Sequence, residues 1–390
     1  MKMALDWIPR VPKESRLDFR VAREDLLQKP EPPRTVYEKK PVINPETNEP
    51  VEGLYTAWVT LDNEKMGNSY TLDMLAGTAC AFDKASHDPS VVAIVLTGKG
   101  NRFFCTGGNV KEYAEYMVGR PMDCQEYMTV YWHIFDVVWY SPKPFIRRVQ
   151  GMSIGGGEEI SGVCDLTVAA DTASFGQVGP QHGSTAMGGA CQFKSVVMTP
   201  EDAIWTTTAC EQWSAYKMYR KNYIHKVVPI LKEDGKFIRN PQVITDKWLD
   251  NGDIVYGEFK DKELGYSEEE IKEAGNAVKT LQRDPSLLDK TVNDMAWTYA
   301  NLYPQQVGLS LGMLRAQKKV AYERTKAEII WWWAANALPF GEFDMGMSAF
   351  NTAKLTGTRD ADVIKYRQMI AKGLSMGAEL FEAVMPKPKK

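Results

Sequence analysis

The rhythm of hydrophobic and polar positions changes near residue 50. Before it, "QKPEPPRTVYEKKPVINPETNEP" (residues 28–50) mixes Pro, Lys and Glu and shows a period of neither two nor 3.6. Residues 1–50 therefore read as an extended arm. Beyond them the pattern is regular. "LYTAWVTL" predicts a strand, "SYTLDMLAGTACAFDKASHD" an amphipathic helix, and the unbroken apolar run "VVAIVLTG" a strand covered on both faces, as in parallel sheets. "YMTVYWHIFDVVWYS" predicts a helix, "PFIRRVQGM" a strand, and "LTVAADTASFG" a strand running into a turn. Alternating strands and helices define an α/β core over residues 51–230. Residues 231–275 are charged and aperiodic and predict an insertion of surface loops and a short hairpin. Residues 276–390 return to helical spacing, with "GMLRAQKKVAYERTKAEIIWWWAAN" as the longest stretch.

Composition narrows the function classes. With 47 Lys and Arg against 50 Asp and Glu, the net charge is −3 and no basic stripe marks a nucleic-acid partner. No signal-peptide core appears in "MKMALDWIPRVPKESRLDFR", and "IIWWWAANALPF" (329–340) is short and interrupted by Asn336 and Pro339, so no membrane segment is expected. The six cysteines are scattered with no CxxC pair and no metal-ligand spacing. A cytoplasmic protein, with no metal, acting on small molecules, is the expectation.

Two glycine turns carry the candidate chemistry. "SIGGGEEISG" (153–162) sits at a strand-to-helix bend, where residues without Cβ let a ligand lie against the backbone and first-turn amides point outward. Amides aimed at a carbonyl oxygen stabilise the oxyanion or enolate of a transition state, and a glutamate in the same turn can move protons. Tight packing of glycines and a dipole role for the glutamates are the bland alternatives. The second turn, "GKGNRFFCTGGNVKEY" (98–113), follows the buried strand and again leads into a helix, so two amides from two turns can face one ligand.

These runs, with "FGQVGP" (175–180) and "MSAFNTAKLTG" (347–357), resemble the crotonase (enoyl-CoA hydratase/isomerase) superfamily, with its F-x-A-G-x-D, G-G-G-x-E, C-D and F-G-x-P-E signatures. The resemblance runs from about Leu54 to Pro229 and resumes near Lys354. It implies a spiral of ββα units with a C-terminal helical region for trimerisation, and a homotrimer or hexamer. It implies an acyl-CoA substrate and no cofactor, coenzyme A being part of the substrate. The resemblance implies that Thr106 and Gly156 supply the oxyanion-hole amides and Glu159 the acid–base carboxyl, with a proton affinity expected near neutrality; Lys65, Met66, Arg102 and Lys354 are expected either to contact coenzyme A or, for the cations, to be solvated surface charges. Where hydratases of the family carry a second glutamate this chain has Gly179, and where naphthoate synthases carry an aspartate it has Ala186. His182 is the nearest replacement side chain, either a base or water holder or a loop histidine satisfied by backbone. The arm, the insertion and the Trp-rich helix are similar to family members that hydrate and hydrolytically open a cyclic β-keto acyl-CoA in anaerobic aromatic breakdown. The other readings are an open-chain enoyl-CoA hydratase or isomerase and a non-catalytic RNA- or protein-binding member. Cys105 lacks a base and is not expected to be a nucleophile. Glu158 is expected to face away from Glu159, Asp165 and Asp171 to be structural, His133 to be core, and Trp331–Trp333 to pack in a core or interface.

Overall fold

The computed structural model describes residues 7–10 and 22–389; the parts of the expected arm at residues 1–6 and 11–21 lie outside the described residues. The core begins with β1 (Arg34–Ile43), β2 (Pro50–Asp62), α1 (Leu72–His87), β3 (Val91–Gly98), β4 (Phe103–Cys105) and α2 (Pro121–Tyr140). It continues with β5 (Phe145–Val149), β6 (Met152–Ile154), α3 (Gly156–Gly162), β7 (Leu166–Ala170), β8 (Ser174–Gly176), α4 (Ala190–Val197), β9 (Trp213–Ser214) and β10 (Lys226–Val228). Strands divide between two sheets, a six-stranded one ordered β1-β2-β3-β5-β7-β10 and a four-stranded one ordered β4-β6-β8-β9. Successive turns give their first strand (β3, β5, β7) to the large sheet and their second (β4, β6, β8) to the small one, which is the expected ββα spiral. Parallel pairing of β2 through β10 explains the apolar runs, since helices cover both faces. On one face α1 and α2 bury Met74, Phe82 and Phe135; on the other α5 (Ser286–Ala300) buries Leu288 and Val292 against Val95 and Ile146.

Part of the stretch assigned to the arm is instead structural. Arg34–Ile43 is a ten-residue edge strand antiparallel to β2. Pro41 and the charges at Arg34, Glu38, Lys39 and Lys40 break its alternation, and an edge position tolerates both because one side of its ladder is unpaired.

The insertion is pinned to the core at Asp171. Its buried carboxylate accepts the Asn240 amide at 2.7 Å and the Ile230 amide at 3.3 Å, and the Asn240 side chain donates to the Asp171 carbonyl at 2.9 Å. The C-terminal helices α6 (Ala316–Glu323), α7 (Lys326–Asn336) and α8 (Glu342–Asn351) are fastened by Arg315. Its guanidinium grips both oxygens of Asp165 at 2.7 and 2.6 Å and the Val138 and Ser141 carbonyls at the end of α2, each at 2.6 Å. Among the described residues no helix is long and apolar enough to cross a membrane.

Candidate active site

Because β4 and β6 are parallel neighbours, the two glycine turns leave the small sheet at the same end. Gly155, with φ 55 and ψ −129, makes the bend into α3 in a conformation that side chains resist. The absent side chains admit specific neighbours. A Cβ on Gly156 would stand 1.8 Å from the Tyr70 hydroxyl oxygen, one on Gly108 1.7 Å from that of Tyr113, and one on Gly107 3.1 Å from the Gly156 nitrogen. The turns are thus pressed against each other and each is roofed by a phenol oxygen.

Between them lies a cavity of about 100 Å³ that opens to solvent. Thr106, Gly156, Glu159, Gly179 and His182 all line it. The Gly156 amide has no acceptor among the described residues. The Thr106 amide differs from the expectation of two free donors: it donates to the Gly67 carbonyl at 3.0 Å. Among the described residues the next amide, Gly107, has only the Cys105 sulfur, at 3.4 Å.

Glu159 is buried, with the Gly188 amide donating to its Oε2. Loss of hydration pushes its carboxyl up to about 8; the Gly188 amide opposes this, and the nearby Glu158 charge adds to it. Glu158 turns the other way, as adjacent helical positions must. Its carboxylate lies 3.0 Å from the buried Lys194 ammonium and accepts from Gln177 Nε2 at 2.8 Å. His182 sits on a short 3-10 turn, edge-on to Phe350 at 5.1 Å, with its Nδ1 3.7 Å from Asp360 and without a hydrogen-bond partner among the described residues. Its partial burial lowers its proton affinity, only partly offset by Asp360, so the neutral imidazole is favoured. Burial likewise pushes the Cys105 thiol up to about 12, which disfavours a thiolate nucleophile.

Lys65, Met66, Arg102 and Lys354 do not line the cavity. All four are exposed, Lys65 and Met66 on the turn Glu64–Met66 that precedes Gly67, and Arg102 just ahead of β4. Trp331 and Trp332 are exposed as well, whereas Trp333 is buried, stacks on Tyr127 with centroids 5.1 Å apart, and lines the cavity. Sequence reasoning missed the aromatic wall made by Tyr70, Tyr113, Tyr127 and Tyr131. Only the i, i+4 pair Tyr127 and Tyr131 on α2 carried a local signal for it. Among the described residues no group of three or more His, Cys, Asp or Glu side chains is arranged to hold a metal ion.

A profile of the enoyl-CoA hydratase/isomerase family matches residues 55–284. Over 391 aligned residues, 99% of each chain, the protein is 42% identical to the 6-oxocyclohex-1-ene-1-carbonyl-CoA hydrolase of Syntrophus aciditrophicus (strain SB). It is also 42% identical over 355 residues, 91% of each chain, to the enzyme of the same name from Geobacter metallireducens. Among solved structures, an enoyl-CoA hydratase from Mycobacterium avium subsp. paratuberculosis K-10 shares the fold, with a TM-score of 0.55 over 81% of this chain and 95% of that one at 16% identity.

Proposed function

The chain belongs to the enoyl-CoA hydratase/isomerase family, and from this premise we infer that it hydrates 6-oxocyclohex-1-ene-1-carbonyl-CoA and then hydrolytically opens its ring. The observation that carries the chemistry is the pairing, in one cavity, of a Gly156 amide that is free among the described residues with a buried Glu159 that has no ion-pair partner among them and whose carboxyl is raised to about 8. A carboxyl poised there is able both to take a proton from water and to return one to carbon.

In the first step water adds to the β-carbon of the conjugated ring. The displaced electron pair collects on the thioester oxygen, where the Gly156 amide receives it. The Thr106 amide joins by sharing its proton with the Gly67 carbonyl. Glu159 takes the proton of the attacking water and delivers it to the α-carbon. In the second step water adds to the ring ketone, the bond between the ketone carbon and the α-carbon breaks, and the pair returns to the same thioester oxygen before protonation at carbon. One charge-binding site therefore serves two bond changes. Two waters enter and an open 3-hydroxy dicarboxylic thioester, 3-hydroxypimeloyl-CoA, leaves. The atoms and electrons balance with water alone, so the proposed reaction calls for no cofactor.

Gly179 removes the second carboxylate that a simple hydratase would use, and neutral His182 is the group proposed to hold the second water. Lys65, Met66, Arg102 and Lys354 are proposed to meet the coenzyme A portion outside the cavity. Met313, Leu314 and Trp332, exposed on the C-terminal helices at 71%, 77% and 69%, support burial against another copy in a trimer or hexamer. The test is product mass after incubation with the cyclic thioester. The expected product is two waters heavier and carries a new carboxylate; a product only one water heavier, or faster turnover of an open-chain enoyl-CoA, would replace this reading with a plain hydratase.

A further inference from the structure

Resting on that reading, we propose that the Tyr113 hydroxyl is a second charge-stabilising donor, directed at the ring ketone oxygen, which carries part of the enolate charge in hydration and the full alkoxide charge in ring cleavage. The Tyr113 and Tyr127 hydroxyls are hydrogen-bonded to each other, and both side chains are at least nine-tenths buried in the cavity wall. Two hydroxyls own two hydrogens. Their mutual bond uses one, and with Tyr127 as its donor the Tyr113 hydrogen has no acceptor among the described residues. The neighbouring phenol on this wall differs, since the Tyr131 hydroxyl has the Gly188 carbonyl 3.5 Å away. An unused, buried O–H on a cavity wall is a donor awaiting a ligand.

Its position selects the ligand atom. The Tyr113 oxygen stands over Gly108, two residues along the turn from Thr106, and that turn abuts the Gly156 amide. In a β-keto thioester both carbonyl carbons are bonded to the α-carbon, so their oxygens lie within a few ångströms of each other. With the thioester oxygen at Gly156, the ketone oxygen falls beside the same turn. When water forms its bond to the ketone carbon, the C=O π pair moves onto that oxygen, and the Tyr113 O–H stabilises it by hydrogen bonding without giving up its proton. The pair then re-forms the C=O as the bond to the α-carbon breaks and the thioester enolate appears. Tyr127 acts through Tyr113 as a positioning residue, held by its stack on Trp333. An open-chain enoyl thioester lacks the oxygen that this donor serves.

The experiment follows both steps in one time course with 6-oxocyclohex-1-ene-1-carbonyl-CoA, quenching and separating substrate, hydroxy-ketone thioester and ring-opened acid. For Tyr113→Phe, which keeps the ring packing, hydration is expected to slow by no more than about tenfold while cleavage falls roughly a hundredfold, so the hydroxy ketone accumulates. Unchanged cleavage, or equal slowing of both steps as a packing defect would give, overturns the proposal. If Tyr113→Phe does not fold, Tyr127→Phe is read the same way, with an expected selective slowing of about tenfold; equal or absent slowing overturns it there. Failure of the wild type to open the ring defeats the functional reading and this inference together, whereas an active wild type beside an unaffected variant defeats only the inference.

Discussion

The two sides of α3 present the same functional group in opposite circumstances. On one side Glu158, fully buried, has the Lys194 ammonium within 3.1 Å of Oε2 and the Gln177 amide within 2.8 Å. On the other side Glu159 has one backbone amide and a wall of phenols. A buried carboxylate with a matched cation is a fixed structural charge, and removing the cation leaves an expensive orphan. A buried carboxyl without one keeps its proton to unusually high pH and can exchange it with a ligand. Adjacent residues thus separate the requirement for a rigid helix from the requirement for a mobile proton.

The contrast can be broken at three points. Glu159→Gln keeps the shape and the burial but ends proton transfer; turnover is expected to fall by about 10²–10⁴-fold while binding of a coenzyme A thioester persists, measured by steady-state kinetics and by titration. Lys194→Met strands the Glu158 charge and is expected to lower unfolding stability by about 3–5 kcal/mol in denaturant titration, most of which returns when Glu158→Gln is added. The third point is pH. The Glu159 carboxyl is raised from the usual 4.5 to about 8 in the folded protein, so between those values the unfolded chain has released a proton that the fold still holds. Stability from this group therefore declines as pH rises through the window, by roughly 1 kcal/mol per pH unit. Glu159→Gln is expected to flatten that decline, seen as a smaller difference in unfolding free energy between pH 5 and pH 7.5 than in the wild type.

What was legible in the chain was what is local. The apolar run of β3, the helical spacing of α1 and α2, and the three consecutive glycines ahead of Glu159 each encode their structure within a few residues. The opposed directions of Glu158 and Glu159 followed from helix geometry alone. Less legible was anything assembled across the sequence. Tyr70, Tyr113, Tyr127 and Trp333 come from four separate segments, and no spacing joins them until the spiral closes. The capture of the Thr106 amide by Gly67 is equally nonlocal, as it depends on the turn before α1 lying against the turn after β4. β1 was missed because an edge strand need not alternate.

Arg315 gives the chain an order of assembly. By clamping Asp165 and the end of α2, it seats the helices that deliver Trp333 and Met347 to a cavity whose remaining walls are made of residues 70–188. Until residues 333 and 347 are in place, the chamber lacks the two walls that the tail supplies. Competence therefore arrives late in synthesis, when the tail folds back over what came before it.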